Sequence, residues 1–98
     1  MAQVVYGSAA LEDLAGMVDF LLENAPDRAR IAVARIRSAV EALQQHPHLG
    51  RRVDDGLREL VISYGATGYL ALYEFDEAND TVLVARVRHQ REAGYDNE

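Results

Sequence analysis

The chain has 98 residues, 49% of them hydrophobic, and carries a net charge of −6. That size and composition describe one domain with a modest core and argue against disorder over most of the chain. There is no cysteine and no lysine, which excludes a disulfide framework, a thiolate metal site and a thiol nucleophile, and leaves arginine as every fixed cation.

Val4, Val5 and Tyr6 read as a short first strand. Gly7-Ser8 breaks it, and Ser8 is the expected N-cap of a helix running to about Asn24. Leu11, Leu14, Val18 and Leu21 recur at steps of three and four and form its apolar face. Glu12 and Asp13 lie near its start, where the helix dipole favours negative charge. Pro26 fits the first turn of a second helix, whose stripe is Ala29, Val33, Ile36, Val40 and Leu43. Pro47 disfavours helix at His46 and ends it. So short a joint predicts an antiparallel helical hairpin whose stripes face each other and one side of a sheet.

His48 to Gly56 reads as loop. Leu57–Tyr64, Tyr69–Phe75 and Thr81–His89 read as strands joined by a Gly65–Gly68 turn and a polar Asp76–Asp80 turn. The expected fold is α+β in the order β-α-α-β-β-β, a helical hairpin on a small, mainly antiparallel sheet, as a single domain over residues 1–98. Asp96-Asn97-Glu98 is expected to fray. The first residues lack the basic start and apolar run of a secretory signal, and no apolar stretch approaches the roughly 18 residues that span a bilayer. With no cysteine, the expected compartment is the cytoplasm.

The arginines are clustered. Arg51 and Arg52 form one patch, and Arg86, Arg88 and Arg91 another with no acidic residue among them. Strict alternation along the last strand places Val82, Val84, Arg86 and Arg88 on one face, with Arg58 near the same surface if the register allows. Arginine without lysine fits bidentate contacts to carboxylate or phosphate. The same residues also fit solvated strand ends paired with Glu59, Glu74 or Glu92. His89, Arg91, Glu92 and Tyr95 fall within seven residues, a composition suited to general acid–base work but more often found on ordinary surface. His46, His48 and His89 lack metal-site spacing, so no metal is expected, and no cofactor motif is present. The hairpin lacks a basic recognition helix, and the acidic sum repels nucleic acid at long range, so direct DNA binding is not expected.

Several segments together resemble the RelE/ParE family of type II toxins. They are Ser8-Ala9-Ala10-Leu11-Glu12-Asp13-Leu14, then Pro47-His48-Leu49-Gly50-Arg51, then Arg58-Glu59-Leu60-Val61 and Gly68-Tyr69 leading to Tyr73. The last is Val87-Arg88-His89-Gln90-Arg91-Glu92-Ala93-Gly94-Tyr95. The likeness covers nearly the whole chain. It implies a toxin held inactive by an antitoxin encoded beside it. ParE-like members poison DNA gyrase without hydrolytic chemistry, whereas RelE-like members cleave mRNA in the ribosome. On the second pattern Arg58, Arg86 and Tyr95 stand at matching places, with His89, Arg91 and Glu92 as additions. On either pattern Arg51, Arg52, Arg86, Arg88 and Arg91 are the expected contacts to antitoxin or target. The acidic charge, the missing lysines and the Pro-x-x-Gly-Arg loop look more ParE-like. The gyrase-directed toxin is therefore the leading expectation, with the ribonuclease and a non-toxic binding module as alternatives.

Overall fold

A computed structural model describes residues 1–64 and 67–89. The chain runs β1 (Gln3–Tyr6), α1 (Ser8–Asn24), α2 (Pro26–Glu41) and a 3-10 turn (Ala42–Gln44). It continues through β2 (Arg51–Asp54), β3 (Leu57–Tyr64), β4 (Thr67–Asp76) and β5 (Thr81–His89). The five strands form one sheet in the order β1-β5-β4-β3-β2. β1 pairs parallel to β5 and the other pairs are antiparallel. Both helices lie on one face, giving the expected α+β hairpin on a sheet. No described helix is long and apolar enough to cross a membrane.

One strand is an addition. Arg51–Asp54, expected as loop, pairs with the start of β3. Asp54-Asp55-Gly56 supplies the reversal, with Gly56 at φ +75, a conformation that costs glycine nothing. Pairing across so short a turn satisfies backbone groups that a loop would leave to water.

Two local expectations shift by about one position. Gly7, not Ser8, stands at the N-cap of α1 and no side chain caps it. The Gly7 N–H donates to the Val84 carbonyl at 2.9 Å, so the sheet holds the chain extended through Gly7 and the helix opens just after it. Glu12 and Asp13 then lie beyond the first turn. The buried stripe of α1 is Ala10, Leu14, Met17 and Leu21, while Leu11 is 54% exposed. At 100° per residue Leu11 and Val18 sit about a quarter turn off that stripe. Val18 faces the crease against α2 instead. α2 buries Ala29, Ala32, Ile36 and Val40, and Leu43 follows from the 3-10 turn.

The core lies between this hairpin and one sheet face, where Tyr69, Ala71, Tyr73, Val82, Val84 and Val87 meet Ile36, Val40 and Leu43. Ile36 is 0% exposed at the centre of that layer. Ile36→Ala should cost roughly 2–5 kcal/mol, because it removes buried methylenes and leaves a cavity that the rigid sheet cannot fill. Denaturant unfolding with an unchanged slope and a lowered midpoint is the expected result. A change below about 1 kcal/mol would contradict this packing.

Candidate functional site

The loop after the hairpin is fastened by two side chains. The Tyr73 hydroxyl donates to the Pro47 carbonyl and accepts from the Gly50 N–H, each at 2.8 Å. Burial pushes the Tyr73 hydroxyl pKa up, against smaller downward effects of the Gly50 bond and the Arg58 charge, so it stays a protonated donor. Arg58 adds bonds from one guanidinium nitrogen to the His48 and Gly50 carbonyls at 3.2 and 2.7 Å. The site demands glycine at position 50, where a Cβ would sit 2.8 Å from the Glu59 carbonyl and from the Tyr73 ring. The Pro-x-x-Gly-Arg segment is thereby pinned to the end of β3 and β4.

A second cluster lies at the free side of β5. Leu72 pairs with Arg86 while Tyr73 pairs with Val84, so Ala85 is an extra residue, a β-bulge. The bulge reverses the alternation. Val82, Val84 and Val87 face the helices, whereas Arg86 and Arg88 share the opposite face with Leu72 and Leu70. Strict alternation, which groups the two arginines with Val82 and Val84, is therefore corrected. β1 stops pairing at Val84, and Asp13 of α1 takes the vacated position. Its carboxylate accepts the Val87 N–H at 2.9 Å and forms a two-point pair with Arg86 at 2.8 and 3.0 Å. Burial alone would raise the Asp13 pKa. The hydrogen bonds from Arg86 and Val87, with the charges of Arg86 and Arg88, outweigh it and hold the carboxyl below its ordinary range.

The expected site residues that the structure describes are thus spread out. Arg58 pairs across to Tyr73 on the helix face, and Arg86 lies on the other face. His89 packs edge-on against Tyr69 at 5.4 Å, roughly 13 Å along β4 from Tyr73. His48 packs against Phe75 and faces Glu77 at 3.6 Å, at the far end of β4 from His89. Arg51 pairs with Glu59 at 2.9 Å, and Arg52 stands exposed opposite Arg58. Arg91, Glu92 and Tyr95 lie outside the described residues, as does the expected frayed tail. Sequence reasoning missed Asp13 and Tyr73 as anchors. A carboxylate one helical turn from an apolar stripe, and a tyrosine on a buried strand face, were the available signals.

Asp13 has a measurable consequence. Its lowered pKa gives stability that is fully present above pH about 4 and fades as pH falls through the folded value. Asp13→Asn should cost roughly 1–2 kcal/mol near neutral pH, a range kept low by the 42% exposure of Arg86. It should also flatten the acid limb of a stability–pH profile. An unchanged acid limb would show that the pair contributes nothing.

Comparison with known proteins agrees with this architecture. Residues 4–94 match the family described as "ParE toxin of type II toxin-antitoxin system, parDE". The chain is 41% identical over 92 residues to Toxin RelE3 of Caulobacter vibrioides, spanning 94% of this chain and 98% of that protein. It is 34% identical over 89 residues to Toxin RelE2 of the same organism, spanning 91% and 96%. It shares its fold with the solved chromosomal ParDE toxin–antitoxin system of P. aeruginosa, at a TM-score of 0.73 and 22% identity over 91% of this chain and 96% of that one. The chain belongs to the ParE toxin family, within the RelE/ParE superfamily of type II toxin–antitoxin toxins.

Proposed function

We propose that this chain arrests growth by binding DNA gyrase in the cytoplasm and is held inactive by a cognate antitoxin. The dispersal of the described candidate catalytic groups, Arg58, Arg86 and His89, supports this reading. A ribonuclease needs a cation at the phosphate and proton carriers beside it. Here Arg58 holds a loop on one sheet face, Arg86 is paired with Asp13 on the other, and His89 packs on Tyr69. The net charge of −6 without lysine also favours a protein target, since phosphate contacts supply most of the affinity for nucleic acid. The matching family model is that of the ParE toxins, and on the resemblance it is the ParE-like members that act on gyrase. The names of the two Caulobacter relatives favour a second reading, a ribosome-dependent mRNA endoribonuclease. On that reading Arg58, Arg86, His89, Glu92 and Tyr95 carry the reaction.

The antitoxin is the partner of the arginine clusters. Arg51, Arg52, Arg86, Arg88 and Arg91 offer guanidinium groups that match carboxylates in two-point contacts. Arg51 and Arg86 already meet Glu59 and Asp13, so a partner's carboxylates must join or replace those.

Induction of the chain in a host lacking the antitoxin should produce filamentous cells and DNA-damage signalling with bulk mRNA intact. Codon-phased mRNA cleavage, abolished by Tyr95→Phe or Arg86→Ala, would establish the ribonuclease instead. Undiminished growth with the folded chain present would leave a binding module. In a titration with the antitoxin, Arg52→Glu combined with Arg88→Glu should raise Kd by about tenfold, with the loss shrinking at high salt. An unchanged Kd would remove both residues from the interface.

A further inference from the structure

The two helices of the hairpin differ in charge. α1 carries Glu12, Asp13, Asp19 and Glu23 and no base. α2 carries Arg28, Arg30, Arg35 and Arg37 against Asp27 and Glu41. At 100° per residue Glu12, Asp19 and Glu23 fall in one row opposite the buried stripe of α1, and all three are exposed. Arg30 and Arg37 line the crease between the helices, with Asp27 beside them. Val18, Leu22, Ile31 and Ala34 give that crease its apolar lining, and Leu22 and Ile31 are 54% and 46% exposed. Among the described residues, none of Glu12, Asp19, Glu23, Arg30 and Arg37 forms an ion pair. The outer face of the hairpin therefore presents an acidic row, an apolar crease and a basic row side by side.

We infer that this face is an interface between two copies of the chain, related by a two-fold axis running along the crease. Such an axis lays α1 of one copy antiparallel over α2 of the other and keeps every residue at its own height. Asp19 stands six residues before Ala25 and Arg30 five after it, and Glu12 stands thirteen before and Arg37 twelve after. At a rise of about 1.5 Å per residue, each acid is level with its arginine to within about 2 Å. Asp19 and Glu12 of one copy thus meet Arg30 and Arg37 of the partner subunit, and the two-fold repeats both pairs. Leu22 and Ile31 close over the crease between them. A two-fold axis across the crease would instead stack α1 on α1 and set acid against acid, so the charges select one arrangement. A second copy fits this face because the same surface supplies both the acid and the base. The inference is independent of whether gyrase or the ribosome is the target.

Sedimentation equilibrium of the full chain tests this. The chain alone should dimerise by about 100 µM, and less tightly at high salt. Asp19→Arg and Arg30→Glu should each weaken self-association by about tenfold or more, because each sets like charges together twice in the dimer. Mixing the two variants should restore association to within about threefold of the unaltered chain, since both cross-pairs are then opposite in sign. Glu74→Arg, exposed on the other face of the sheet, should leave it unchanged. Circular dichroism of each variant checks the fold. A chain that stays monomeric overturns the inference, as does a dimer indifferent to both variants or one that mixing does not restore. A monomeric chain whose complex with the protein encoded beside its gene is weakened by the same variants also overturns it, and gives the crease to that protein.

Discussion

The bulge at Ala85 resolves a conflict written into the last strand. Val82, Val84, Arg86 and Arg88 share one parity, and α1 packs over that strand. Without an extra residue, two guanidinium groups would enter an apolar layer at a cost of several kcal/mol each. With it, Val87 returns to the core and both arginines turn to the open face. The bulge comes where β1 ends, so the Val87 N–H loses a strand partner at the same place. Asp13 meets both needs, accepting that N–H and pairing with Arg86. It also fixes the rotation of α1, which explains why Ala10, Leu14 and Met17 face inward and Leu11 does not.

Tyr73 plays the corresponding part at the other end of the sheet. Its ring belongs to the core, and its hydroxyl reaches the loop that leaves the hairpin. One buried group thus couples helix packing to the path of Pro47–Gly50, and that path delivers Arg51 and Arg52 to the edge strand. Arg58 completes the fastening. Its guanidinium bonds the His48 and Gly50 carbonyls, so this candidate site residue is held by the same loop it supports.

The helices cover one face of the sheet, which leaves the molecule asymmetric. One side is a packed core. The other side and the β3 edge carry arginines interleaved with exposed apolar groups such as Val61, Leu83 and Val5. That combination suits recognition of another protein, where apolar contact supplies affinity and paired charge supplies specificity.

Periodicity and residue type settled the number of helices, their buried stripes to within a quarter turn, and four of the five strands. Those features follow from local burial patterns and from the breaks at Gly7, Pro26 and Pro47. The parallel seat of β1 beside β5 was not legible, because pairing between distant segments leaves no local trace. Nor was the strand at Arg51–Asp54, whose four residues are all exposed and show no alternation. The faces of Arg58 and Arg86 depended on register and on one bulged residue, and a shift of one position exchanges the two sides of a strand. The sequence therefore determined which side chains were present and roughly which elements bore them. Only the tertiary structure decided which of them meet, because Asp13 and Arg86 are 73 residues apart and come together solely through the packing of α1 on β5.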